Sequence, residues 1–137
     1  MDVQEVRKLD AYLKRLFGNA ELRVVPRSNK GMAEVFVGDD DLGELTVDDE
    51  DGDRSYNFRM VIQLGEEAKD TPVPPLNAYL RRQFSNDKIR VVPRPKKTDS
   101  LEVFIDEEFI GVLFVENERG RSLFIFEMPI LDVDLVD

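Results

Sequence analysis

The 137-residue sequence contains no cysteine, no histidine and no tryptophan. Without thiols there is no disulfide and no thiolate nucleophile. Without imidazole there is neither a zinc site of the usual Cys/His kind nor histidine acid–base catalysis. Carboxylates, Lys, Arg, Tyr, Ser and Thr are all that remain for chemistry. Long apolar runs are missing too. Nothing approaches the roughly eighteen apolar residues of a membrane span, and the opening "MDVQEVRKLD" lacks the apolar stretch of a signal peptide. The expectation is a cytosolic protein. Positive charge is scarce: 19 Lys and Arg against 29 Asp and Glu give a formal net charge of -10. That balance repels phosphate polyanions at long range, although a local basic patch can survive it.

What is present is written twice. "LDAYLKRLFGNAELRVVPRSNK" from Leu9 falls on "LNAYLRRQFSNDKIRVVPRPKK" from Leu76. After one inserted residue, "EVFVGDDDLGELTVDDEDG" falls on "EVFIDEEFIGVLFVENERG". Apolar and polar positions recur in the same order, which implies a duplication. Two copies are too few for a solenoid and suit a fused dimer with a pseudo-two-fold axis. The expected boundaries are residues 1–65 and 76–137. The charged, proline-rich "GEEAKDTPVPP" separates them, giving a linker over residues 66–75.

Each copy reads as a helix followed by strands. Asp2 and Glu5 form a helix-start signal, and Val3, Val6, Leu9, Leu13, Leu16 and Phe17 recur at helical spacing before Gly18-Asn19. In the second copy Pro74-Pro75 open a helix with Leu76, Tyr79, Leu80 and Phe84 on its buried stripe. The strands "LRVVP", "MAEVFV", "LGELTV" and "SYNFRMVIQL" follow, separated by acidic turns, Asp51-Gly52 among them. The fold class is therefore α+β: two homologous α-β-β-β-β units, each a helix then an antiparallel meander. The repeated RVVPR is the first strand of each unit. Its proline has no ladder donor and belongs on an edge or at a strand end.

The second copy also resembles a known family, a small alphaproteobacterial one catalogued as domain of unknown function number thirty-one twenty-six. "AYLRRQF", "RVVPRPKKTDSLEVFIDEEFIGVLF" and "MPILDVDL" carry the resemblance. The first copy resembles it through "RVVPRSNK", "AEVFVGDDDLG" and "SYNFRMVIQL" but lacks the acidic ending. The resemblance implies a bacterial cytosolic protein, a tandem form of a single-unit ancestor, and no particular activity.

Four constellations are candidates for function. The basic phrase places Arg23, Arg27 and Lys30 in one copy and Arg90, Arg94, Lys96 and Lys97 in the other, with helix-end cations nearby. It reads as an anion site or as a charged, proline-protected edge strand. "VDDEDGD" fails as a calcium loop, because Gly52 at its sixth position puts Val47 first and Phe58 twelfth, where oxygen ligands are required. No metal site or cofactor is expected. Glu34 and Glu102 recur but form no catalytic pair by spacing. Finally, where the first copy has Thr46, Asn57, Arg59, Val61 and Gln63, the second has Phe114, Ile125, Glu127, Pro129 and Leu131. Val133 and Leu135 extend this apolar set into the tail. One layer cannot bury both of its faces, so the first unit or an external partner covers this one; cover by the first unit is the favoured reading, because a soluble chain rarely leaves a large apolar patch open. The candidate partner-binding residues are Phe114, Ile125, Pro129, Leu131, Val133 and Leu135. The expected function is a non-enzymatic protein-interaction or regulatory module, a monomer holding an internal pseudo-dimer. The alternatives are a nucleic-acid-binding module on the RVVPR strands and an enzyme on carboxylates.

Overall fold

Helix α1 (Val3–Phe17) begins where two residues cap each other. The Glu5 amide donates to Asp2 Oδ1 at 2.8 Å and the Asp2 amide to Glu5 Oε1 at 3.0 Å, which satisfies two of the donors a helix start leaves open. The helix ends at Gly18, whose φ of 63° is left-handed. In this computed structural model, which describes residues 1–28, 31–50, 52–65, 68, 70–118 and 121–135, four strands follow: β1 (Leu22–Pro26), β2 (Met32–Val37), β3 (Asp40–Asp48) and β4 (Ser55–Leu64). The pattern then repeats as α2 (Val73–Phe84), β5 (Ile89–Pro93), β6 (Ser100–Ile105), β7 (Glu108–Glu118) and β8 (Arg121–Leu131), with a 3₁₀ turn at Asp132–Asp134. No described helix is long and apolar enough to cross a membrane. Helix α2 starts within the stretch read as linker. Pro74 and Pro75 sit in its first turn, where a missing N–H costs nothing.

Backbone packing divides the chain into two units, Met1–Arg59 with Pro129–Asp137, and Met60–Met128. In the first the strand order is β1-β2-β3-β4, followed by the end of β8; in the second it is β5-β6-β7-β8, followed by the end of β4. The pairings β1–β2, β2–β3 and β3–β4 are antiparallel, as are β5–β6, β6–β7 and β7–β8.

Period-two alternation decides what is buried. Tyr56, Phe58, Met60 and Ile62 of β4 are buried, as are Phe124, Phe126, Met128 and Ile130 of β8. The helix faces Leu9, Leu13, Phe17 and Leu76, Leu80, Phe84 are buried with them. Val3, placed on the buried stripe by its spacing, is 70% exposed, and in this first turn it is Glu5 that meets the sheet, through Tyr56.

One device fixes the sheet in both repeats. The register of β2 against β3 shifts between Val35 and Phe36, and that of β6 against β7 between Val103 and Phe104. The extra residues, Leu42 and Ile110, turn inward and are buried. Beside each bulge stands a glycine. A Cβ on Gly43 would lie 2.3 Å from the Arg59 carbonyl oxygen, and one on Gly111 would lie 2.5 Å from that of Glu127. Backbone cannot give way as a flexible side chain can. Gly43→Ala and Gly111→Ala should therefore each cost about 2–4 kcal/mol in urea unfolding, as overpacking and backbone displacement do. Gly31→Ala, with nothing within 4 Å, should fall within about 0.5 kcal/mol of the parent.

Candidate functional site

The helix takes one sheet face in each repeat, and the alternate residues form the other. On that helix-free face, strand pairing sets the side chains in rows. In the first repeat one row runs Met32–Thr46–Asn57 and the next Val25–Glu34–Glu44–Arg59. In the second repeat the corresponding rows are Ser100–Phe114–Ile125 and Val92–Glu102–Val112–Glu127. The buried positions hardly change between repeats, whereas these rows exchange polar for apolar side chains.

The RVVPR arginines bond mostly within their own unit. Arg23 Nη2 donates to the Gly38 carbonyl at 3.2 Å, and its guanidinium lies 4.8 Å over the Phe36 ring. Arg90 Nε donates to the Asp106 carbonyl at 2.8 Å and lies 4.7 Å over Phe104. Each phenylalanine is its arginine's cross-strand partner. The second arginine of the phrase differs between repeats. Arg27 forms an ion pair with Glu34 and approaches Glu44 at 3.9 Å. Arg94 turns to Ser100 Oγ at 3.0 Å, because the position of Met32 is occupied there by a hydroxyl. No ion pair involving Glu102 forms among the described residues. Lys96 and Lys97 are exposed in the following turn. Lys30 lies outside the described residues.

The edge itself is closed by donors and acceptors that spacing alone did not single out. Asp10 Oδ2 accepts the Val24 amide at 2.9 Å, and Asn77 Oδ1 accepts the Val91 amide at 2.7 Å. The Leu22 amide donates to the Asn19 carbonyl at 3.4 Å, and Pro26 has no amide hydrogen. In the second repeat Arg81 Nε also donates to the Ile89 carbonyl at 2.7 Å. The signal was present in "LDAYL" and "LNAYL", where a helical acceptor recurs on the side facing the strand.

Of the apolar candidates, Phe114 and Ile125 stand side by side as cross-strand partners in the second unit. Phe114 is 40% exposed and Ile125 is half-buried. Pro129, Leu131 and Val133 belong to the first unit and are exposed, Val133 by 84%. Leu135 is buried and, as placed, offers a partner no surface, because the chain turns it inward after the 3₁₀ turn. Half-buried Val112 and Leu123 complete the strip around Phe114, opposite Glu127 and Glu116 respectively. They are the other members of the same alternation.

A second polar cluster belongs to the first repeat alone. Glu5 accepts from both Arg54 and Tyr56, the tyrosine hydroxyl at 2.6 Å and Arg54 Nη2 at 3.1 Å. Burial alone raises the Glu5 carboxyl, but the bonds from Arg54, Tyr56 and the Asp2 amide outweigh it and bring it down to about 2. Burial and the Glu5 carboxylate push the Tyr56 hydroxyl up to about 12. Neither group exchanges a proton near neutral pH, so the cluster acts as a clamp between helix and sheet. The corresponding second-repeat residues, Pro72, Ser122 and Phe124, cannot form it. Elsewhere in the first unit, burial and then the hydrogen bond and charge of Glu34 raise the Asp41 carboxyl. Among the described residues no group of three or more acidic side chains is placed to hold a metal ion.

A family model described as "Protein of unknown function (DUF3126)" matches residues 5–64 and, a second time, residues 73–134. No curated protein and no solved structure matches the chain.

The clamp carries a pH dependence of definite sign. A carboxyl depressed from 4.5 to about 2 contributes its full stability above 4.5 and loses it as the pH falls towards about 2. Glu5→Gln should cost about 1–2 kcal/mol at pH 7, and the gap to the parent should narrow steadily in urea unfolding between pH 5 and pH 2.5. A gap independent of pH would show that packing, and not the carboxylate, holds the helix.

Proposed function

The chain belongs to the DUF3126 family in tandem, and from that premise we propose that it is a non-enzymatic protein-binding module whose docking surface is the helix-free face of the second unit. The carrying observation is the cross-strand pair Phe114 and Ile125, set beside Val112 and Leu123 where the first repeat has Thr46, Asn57, Glu44 and Ser55. A soluble surface seldom gathers apolar side chains without use. An aromatic at the middle of such a patch is a common anchor in protein interfaces. The chemistry fits binding better than catalysis: the strongly perturbed carboxylate, Glu5, already has all its near donors in place.

The nucleic-acid reading gains little from the geometry. Arg90 and Arg94 are engaged with Asp106, Phe104 and Ser100. Phe109, beside Phe104 with ring centroids 5.7 Å apart, could offer a base a stacking face. It lies next to Asp106, Glu107 and Glu108, which repel a phosphate backbone.

The test exchanges the face for that of the first repeat. Phe114→Thr with Ile125→Asn should leave the melting temperature within a few degrees of the parent, since both side chains are partly exposed. The same variant should lose the proteins that the tagged parent retains from a lysate of its source organism. Retention of the same proteins by both forms would remove this face from the reading.

A further inference from the structure

The docking surface has a definite charge as well as an apolar strip. In the first unit the arginine after the strand proline neutralises the glutamate of the neighbouring strand, Arg27 on Glu34. In the second unit the equivalent Arg94 is drawn to Ser100 Oγ, 3.0 Å away. Glu102 is left on the helix-free face without an ion pair among the described residues. One further change acts in the same sense: Arg59 of the first repeat is replaced by Glu127. The exchange of Glu44 for Val112 removes a carboxylate and extends the apolar strip, and Val112 stands between Glu102 and Glu127 in one row. On the other side of the Phe114–Ile125 pair, exposed Glu116 stands opposite Leu123. The strip is thus apolar along its middle, with carboxylates on both margins and the Arg94 guanidinium at its Ser100 end, all within the second unit.

We infer that this face takes an amphipathic helix of a partner protein, with apolar side chains on Phe114, Leu123 and Ile125 and Lys or Arg residues over Glu102 and Glu116. The inference rests on the docking reading above and adds the chemistry of the occupant. Charge complementarity selects a basic partner. The geometry selects a helix: a half-buried antiparallel sheet face is completed by a layer of helix, as α2 completes the opposite face of this same sheet. A helix with one apolar side presents a stripe that matches the Phe114–Ile125 strip and places its long cationic side chains at the margins.

The experiment uses the full chain and three synthetic peptides. One is a Leu/Lys helix with a single apolar side, the second has the same residues shuffled, and the third replaces each Lys by Glu. Binding is followed by fluorescence anisotropy at about 150 mM salt, where long-range attraction to the net negative chain is largely screened. The Leu/Lys helix should bind at least tenfold more tightly than either control. Phe114→Thr with Ile125→Asn, which leaves the charge unchanged, should abolish that preference. Glu102→Gln with Glu116→Gln should weaken binding several-fold and flatten its salt dependence. Should the first double variant fold poorly, Phe114→Thr alone and the glutamine pair decide. Equal binding of the Leu/Lys and Leu/Glu helices overturns the charge argument, and equal binding of the shuffled peptide overturns the helical one. If no peptide binds while lysate capture still depends on Phe114 and Ile125, this inference fails and the docking reading stands. Concentration-dependent dimerisation lost in the Phe114/Ile125 variant would instead make a second copy the occupant and overturn it.

Discussion

A four-stranded meander has two faces and, in each repeat, one helix to cover them. Helices of 15 and 12 residues take one face each, which makes that face a core and leaves the other to whatever chemistry its side chains carry. The remaining features serve this division. The bulges at Leu42 and Ile110 turn an extra apolar residue inward. Gly43 and Gly111 let the neighbouring backbone approach at those places. Asp10 and Asn77 tie the covering helix to the first strand at a backbone amide, so the same side chain that orients the helix also closes the sheet edge.

Duplication makes the division visible within one chain. The covered face tolerates little change, because each buried side chain meets neighbours on all sides: Phe58, Met60 and Ile62 return as Phe126, Met128 and Ile130. The open face carries no such penalty, and there the repeats diverge in a concerted way. Exchanging Met32 for Ser100 supplies an acceptor and redirects an arginine, which uncovers a glutamate one strand away. The substitution is small, yet it separates an arginine from a glutamate without adding or removing a charged residue. The clamp of Glu5, Arg54 and Tyr56 shows divergence in the opposite direction. There the first repeat gains an additional turn of helix and a polar cluster to hold it, while the second starts its helix on prolines.

Much of the fold was legible because its signals are local. The mutual capping of Asp2 and Glu5, the stop at Gly18 and the alternation of "SYNFRMVIQL" each depend on residues a few positions apart. The start of α2 was legible in Pro74-Pro75, which lie in its first turn directly after Val73, because a proline there gives up no helical hydrogen bond. The edge position of RVVPR followed from its proline, but the acceptor that completes the edge did not, since Val24 and Asp10 are fourteen positions apart in sequence and meet only through packing. Phe114 and Ile125 were found by comparing the repeats, yet their adjacency required the β7–β8 register. Pro129, Leu131, Val133 and Leu135 followed in sequence and read as one set with them, although backbone packing assigns those four to the other unit. Proximity in sequence, even along the one strand that carries Ile125, Pro129 and Leu131, does not decide which unit a residue belongs to.

The open face also explains why an interaction here needs both of its chemical elements. Covering an aromatic or aliphatic side chain that is already half-buried recovers only part of the roughly 1.5–3 kcal/mol that full burial provides. A strip of four such residues therefore supports modest affinity at best once the costs of association are met. Weak apolar contact on a flat sheet also discriminates poorly, since any hydrophobic surface satisfies it. Glutamates at the margins supply what the strip lacks. They repel the acidic majority of surfaces resembling this chain's own and favour the approach of cationic ones. An unpaired Glu102 costs little in water, but it would cost several kcal/mol if a partner buried it without a cation. In the proposed complex the same residue would admit a basic partner and exclude a neutral one, and that specificity would rest on Arg94 being held by Ser100 rather than by the glutamate.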